Sequence, residues 1–252
     1  MPASYGGAKL VAVDLETNEV VKTIVFPITV AFPDSYLNDV RFDLRPEISA
    51  SGQGVAYITD SSTEGRNGIV VVDLGSGESW RHLDGTPEVR PERGFVASVW
   101  GVPLYSIPAP GRPLSYLQFG SDGIALSADG EELYWTAVAS RTLYSVSTER
   151  LRDRGLNSEL LAQGAVRNRG EKGVSDGLET DSNGLVYVGD MEQGGIAVFN
   201  PGNGTVGRFV RDPRVNWVDT SKFFFFNSLL YSFSSFLFFL LQKGREGNGV
   251  KI

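Results

Sequence analysis

DGLETDSNGLVYVGDMEQGGIAVFNPGNGTVGRFV, residues 176–210, is written in the grammar of β-strands. Val186–Asp190, Ile196–Phe199 and Gly204–Val210 alternate or run apolar over short lengths, and Gly-containing turns separate them. Gly and Asn supply the left-handed backbone that tight hairpins need. With the short GLET segment in front, the stretch makes four antiparallel strands, the unit of one propeller blade.

The same unit recurs. Asp122 opens DGIALSADGEELYWTAVASRTLYSVST, and Asn38-Asp39 opens VRFD followed, after an insertion, by GVAYITDSSTEGRNGIVVVDLGSGESWRHL. A copy with only the later strands begins the chain as AKLVAVDLETNEVVKTIVFP, and another starts at Asn216-Trp-Val-Asp219-Thr. The starts lie near the roughly 40 to 50 residues expected of each blade. Counted this way, residues 1–220 hold about three full blades plus two partial ones, an incomplete propeller of the all-β class. Open terminal blades expose apolar faces and strand edges, so poor stability or association is expected. Thr86 to Pro113 is a proline-rich insertion predicted to hide one strand around Phe95 to Tyr105, and long loops of this kind shape ligand entrances. Thr148 to Gln163 is the sole helical window; Gly155 in its middle predicts a loop with a single helical turn.

Composition narrows the chemistry. The chain has 252 residues, no Cys, one His and a net charge of -7. Thiolate nucleophiles, disulfides and multi-His metal sites are therefore excluded within it. Scattered basic residues under a negative net charge argue against nucleic acid, and a small-molecule ligand is the expected partner. His82, in an outer strand, reads as a packed or surface imidazole. Gly75-Ser-Gly77 and Gly202-Asn-Gly204 read as hairpin turns, because no helix follows to complete a phosphate cradle. Asn203-Gly-Thr205 is a glycosylation sequon that matters only on export. Arg211-Asp-Pro-Arg214 reads as a linker between blades with a local Asp212–Arg214 ion pair.

Residues 221–252 differ from the rest. From Phe223 to Leu241 the sequence FFFFNSLLYSFSSFLFFLL carries no charge and holds eight of the fifteen Phe. Its length suits a membrane-spanning helix followed by Lys243 and Arg245. Its repetitive Phe and Ser content also reads as translated non-coding sequence after a splice or frame error. Membrane contact is expected only under the first reading.

LNDVRFD, AYITDSS, GIVVVDLGSGESWR, DGIALSADGEELYW, SRTLYSVST, KGVSDGLETD and FVRDPRVNWVDT together resemble the major royal jelly protein and Yellow family over about residues 5 to 220. Members of that family are usually secreted six-bladed propellers of longer chains. The resemblance implies an extracellular protein, while the start of this chain shows no signal segment. It also implies a first blade before Tyr5 and a last blade continuing past Thr220.

The first strand of each blade lines a propeller's axis, and the repeat alignment puts Asn38, Asp122, Asp176 and Asp219 at its equivalent start. Converging oxygens of this kind suit a Ca2+-like cation, which takes six to eight oxygen ligands. The distantly similar gluconolactonase and senescence-marker family binds a divalent metal with such residues, together with a Glu from a first blade. The bland alternative is that these side chains cap strand starts through Asx hydrogen bonds. Yellow-type relatives include binders of biogenic amines and proteins linked to dopachrome conversion. For a cationic amine, carboxylates from Asp122 and Asp176 and an aromatic face from Phe95 or Trp135 are the candidates. Trp135 competes with a packing role, since one of the adjacent Tyr134 and Trp135 must face each neighbouring blade. The implied function is small-ligand binding in the channel; metal-assisted lactone hydrolysis, dopachrome-type isomerisation and a non-functional gene product are the alternatives.

Overall fold

In the computed structural model of the chain, residues 6–106, 110, 111, 113–224 and 229–234 are described. Strands β1 (Lys9–Val13) and β2 (Val20–Val25) pair as a hairpin. Strands β3 (Leu37–Asp43), β4 (Val55–Asp60), β5 (Gly68–Asp73) and β6 (Ser79–His82) form the first four-stranded antiparallel sheet. A small hairpin, β7 (Ser98–Val99) and β8 (Val102–Pro103), follows. The second four-stranded sheet joins β9 (Ser121–Leu126), β10 (Glu132–Ala137) and β11 (Thr142–Ser147), then, after helices α1 (Thr148–Arg152) and α2 (Ser158–Ala165), β12 (Arg167–Glu171). The third comprises β13 (Leu178–Thr180), β14 (Val186–Asp190), β15 (Gly195–Asn200) and β16 (Thr205–Arg211). Finally β17 (Val218–Phe224) pairs with β18 (Leu229–Ser234).

Three four-stranded sheets flanked by two-stranded ones match the repeat spacing. Each sheet runs in strict chain order, so its first strand is innermost, and β3, β9, β13 and β17 approach one another in succession. That is propeller architecture. Its strands read as nearly continuous apolar runs because both faces are covered. On β4 and β5, Ala56, Ile58, Val70 and Val72 pack toward the β1–β2 hairpin with Ile24 and Phe26. The alternate residues Val55, Tyr57, Ile69 and Val71 pack toward the second sheet with Ile124, Leu133 and Trp135. Tyr134, one position out of phase with Trp135, faces the third sheet and packs with Leu178, Val186, Val188 and Phe199. A period of two thus sorts each strand's side chains between two neighbouring blades.

Departures from the sequence expectations are local. The window from Thr148 contains two helices rather than one turn, and Gly155 falls in the linker between them. Burial of Leu151 and Ala162 in the core between the first two sheets outweighs the weak propensity of so short a segment. His82 anchors the pair: buried, it lies 2.9 Å from Glu159 Oε2 through Nδ1 and 2.9 Å from the Asp153 carbonyl through Nε2. Among the described residues the proline-rich insertion holds two two-residue strands in place of one longer strand, and its Tyr105 bridges to Tyr116 just beyond it. Gly75-Ser-Gly77 and Gly202-Asn-Gly204 are hairpin turns, and Arg214 donates to Asp212 at 2.8 Å in the linker. Strand 218–224 runs into the Phe-rich segment and strand 229–234 lies within it; the remainder of Phe223–Leu241 lies outside the described residues. No helix among the described residues is long and apolar enough to cross a membrane.

Candidate functional site

The residues at the start of each inner strand do not follow the regular ladder. Leu37 pairs with Asp60 and Val40 with Ile58, so Asn38 and Asp39 together oppose Thr59. Ala137 pairs with Ser121 and Trp135 with Ile124, leaving Asp122 and Gly123 opposite Thr136. On β17, Val218 pairs with Ser234 and Thr220 with Phe233, which leaves Asp219 as the extra residue. Each is a β-bulge, a device that re-aims side chains. The bulges put Asn38, Asp39, Asp122 and Asp219 on the axis, where Asp176 joins them just ahead of β13.

Glycine lets the inner strands come this close. A Cβ on Gly123 would overlap the Asp176 carbonyl, and one on Gly177 would overlap the Asp219 carbonyl. In each Asp-Gly pair, therefore, the Asp supplies the axial carboxylate and the Gly makes room for the next blade's backbone. Between the first two sheets the approach is held by hydroxyls. Thr59 Oγ1 donates to the Asp122 carbonyl at 2.7 Å, and Ser61 Oγ to that of Ser121 at 2.8 Å. Arg41 bridges β3 to β13, donating through Nη2 to the Leu178 carbonyl at 2.6 Å.

Asn38 Nδ2 donates to Asp122 Oδ1 at 2.6 Å and to Ser61 Oγ at 3.3 Å. Trp217 Nε1 donates to Asp176 Oδ2. Tyr36 stands beside the cluster, its backbone N–H on Asp60 Oδ1 at 2.9 Å and its ring 6.0 Å from that of Phe119. Asp60 is itself fixed by a buried ion pair with Arg81 at 2.8 Å. Removal from water and mutual repulsion make the carboxylates weak acids. Asp122, 3% exposed, is pushed well above the usual range by burial and then by Asp176, Asp39 and Asp219, against the Asn38 hydrogen bond. Burial likewise raises Asp176 to about 7, with Trp217 opposing and Asp219 and Asp39 adding to it. Asp39 rises to about 6 through burial, with the Arg41 guanidinium pulling the other way and Asp219 and Glu179 adding to the rise. Asp219 is raised by burial against Arg41. The Tyr36 phenol is raised by burial and by the field of Asp122, Asp176 and Asp219, which places it beside the same negative charge.

Of the residues expected from sequence, Asn38, Asp122, Asp176 and Asp219 occupy the axis. Phe95 and Trp135 do not join them. Trp135 is fully buried between the first two sheets, stacked 5.9 Å from Tyr144, with Nε1 donating to the Glu88 carbonyl at 2.9 Å. Phe95 packs with Ala97, Val138, Val174 and Met191 beneath the Arg141 guanidinium, 4.9 Å from its ring. Tyr36 and Trp217 are the aromatics at the acidic cluster, and the sequence reading passed over both. Trp217 sits two positions before Asp219 and Tyr36 two before Asn38, a spacing that could have signalled them. As a Ca2+ site the donors do not fit as they stand. Among the described residues no three His, Asp or Glu side chains converge as a metal-holding group, and Asn38 offers Asp122 its amide N–H.

An all-β propeller whose inner strands present weakly acidic, buried carboxylates to one axis is the class these observations define. The sequence profile described as Major royal jelly protein matches residues 2–222, and the chain belongs to that family, whose members are secreted. No curated protein matches the chain. Among solved structures it is similar to a chain of the nidogen/laminin complex, with 17% identity and a TM-score of 0.57 over 89% of this chain and 66% of that one. It is also similar to regucalcin, a calcium-binding protein of Agrobacterium tumefaciens str. C58 (15% identity, TM-score 0.42, 81% of this chain and 56% of that one). The Dos1 propeller matches at 8% identity and a TM-score of 0.48, over 89% of this chain and 48% of that one. The chain thus spans about half to two thirds of the length of these structures.

Proposed function

We propose that this chain holds a small cationic amine on the propeller axis, its ammonium group between the Asp122 and Asp176 carboxylates. The supporting observation is their shared surroundings: two carboxylates raised by burial and by neighbouring aspartates, Asp176 among those acting on Asp122, with Tyr36 and the Asp176-bonded Trp217 beside them. A single positive charge relieves that repulsion, and an aromatic face adds cation–π attraction of about 1–2 kcal/mol when desolvated. Arg41, the nearest internal cation, is committed to the Leu178 carbonyl and lies 4.0 Å from Asp39.

Calorimetric titration with tyramine tests this. Asp122→Asn and Asp176→Asn should each weaken binding by at least about tenfold at pH 7.5 while leaving the circular dichroism unchanged. Unchanged affinity in both variants refutes the site. Ca2+ that binds to the wild type and is displaced by neither the amine nor these substitutions would place a metal elsewhere.

The Asp176 carboxyl, held at about 7, also favours a second reading, in which it transfers protons at neutral pH in a dopachrome-type isomerisation. Dopachrome turnover that disappears in Asp176→Asn supports catalysis; tyramine binding without turnover leaves a binding module.

A further inference from the structure

Away from the axis, a pocket of about 160 Å³ opens against the outer strands β15 and β16. It is lined by Lys172, Asp190, Arg208 and Arg211 among apolar and glycine positions such as Ile196, Val206 and Gly207. That is well above what one water needs, so it has room for a small organic molecule. Lys172 is 3% exposed, and its ammonium forms no ion pair among the described residues. Nζ donates to the Gly173 carbonyl at 2.8 Å. Glu192, the next acidic side chain along, is taken by Arg141 at 2.7 Å. Asp190 lies against the same Gly173, where a Cβ would meet Oδ1 at 3.0 Å, and accepts the Gln193 N–H at 3.1 Å.

The geometry points to Lys172 as an amine nucleophile that captures a small carbonyl compound bearing a carboxylate, with Arg208 and Arg211 receiving the anionic end. Burial lowers the Lys172 ammonium to about 7, so about half of it is free amine at neutral pH, against one in a few thousand for an exposed lysine. The nitrogen bonds to the carbonyl carbon, and the carbonyl oxygen departs as water carrying the two amine protons; the product is an imine, with no change of oxidation state. Asp190, whose carboxyl is raised by burial, lies within the pocket to relay those protons. Desolvated lysines form Schiff bases for this reason, since burial leaves a larger share of the amine neutral at physiological pH.

Incubation with glyoxylate and sodium cyanoborohydride at pH 7 reads the imine directly, because the reductant delivers hydride to it and leaves a stable carboxymethyl group for peptide mapping. Lys172 should be labelled at least about tenfold faster than Lys9 or Lys22. Arg208→Ala combined with Arg211→Ala, both substitutions on the strand nearest solvent, should slow labelling by glyoxylate at least about fivefold and leave labelling by propionaldehyde unchanged. Carboxymethylation confined to Lys9 and Lys22 overturns the proposal. So does an equal loss with both aldehydes in the double variant, which removes the role of the two arginines.

Discussion

Acidification from pH 7.5 to pH 5 should weaken tyramine binding about 50- to 100-fold. The magnitude follows from Asp176, whose carboxyl is held at about 7 in the free protein by burial and by Asp219 and Asp39, Trp217 notwithstanding. An ammonium group docked on that carboxylate requires it ionised. At pH 7.5 most of Asp176 is already ionised, whereas at pH 5 only about one molecule in a hundred is, so binding there must first remove a proton at about 1.4 kcal/mol per pH unit. Asp39, at about 6, steepens the lower end of the profile. The amine itself stays protonated throughout. Calorimetry in two buffers of different ionisation enthalpy measures both quantities at once: the affinity at each pH and, near pH 6, close to one proton released per amine bound. A flat profile, or one that improves on acidification, refutes the argument that the ligand meets ionised axial carboxylates. In Asp176→Asn the slope below pH 7 should shrink even if residual binding persists.

The same groups govern the empty protein. Because the Asp176 carboxyl is raised in the folded state, its charge destabilises the fold progressively from about pH 4 to about pH 7 and by a constant amount above. Asp176→Asn should therefore raise stability by about 1–2 kcal/mol at pH 7.5 and by nothing at pH 4, read by urea unfolding at both. Gly177→Ala, which drives a Cβ into the Asp219 carbonyl, should cost at least about 2 kcal/mol, against less than about 1 kcal/mol for Gly207→Ala, where the nearest atom would be Val198 Cγ1 at 4.0 Å. Trp135→Phe leaves a void between the first two sheets and strips the Glu88 carbonyl of its donor; a loss of about 1–3 kcal/mol with tyramine affinity unchanged is expected, and a loss of affinity at full stability would return this ring to the binding site.

The blades were legible because period-two alternation and Asp-Gly, Asn-Gly turns are local signals. The axial Asn38, Asp122, Asp176 and Asp219 were legible from the repeat phase alone. What the pattern could not carry was the extra residue that a bulge adds, or a side chain brought in from a loop. Asp39 sits beside Asn38 and regular alternation would send it to the other face; the two-against-one pairing opposite Thr59 brings both to the axis. Trp217 comes from the loop before β17; its offset from Asp219 matches that of Tyr36 from Asn38, but its hydrogen bond to Asp176 depends on a tertiary approach. Trp135 illustrates the converse. An aromatic next to an aromatic in a strand declares that both faces are covered, and its neighbour Tyr134 does pack against the opposite blade. Two helices formed where propensity alone predicted a turn, because the contacts of Leu151 and Ala162 and the His82–Glu159 bond are made with a different sheet.

The sorting of side chains between successive blades also dictates how a disturbance travels. Each sheet touches its neighbours and little else, so the molecule behaves as a row of coupled units in which opening one loosens only the next. Insulation is greatest in the middle of the row, around Ile124, Leu133 and Val146, and least in the β1–β2 hairpin, whose Val11, Val13, Val20 and Val25 are exposed. Amide exchange should accordingly rank the β9–β12 sheet slowest and the hairpin fastest. A ligand on Asp122 and Asp176 joins that middle unit to the one after it, so it slows exchange where the row is already tightest and leaves fraying at its ends untouched.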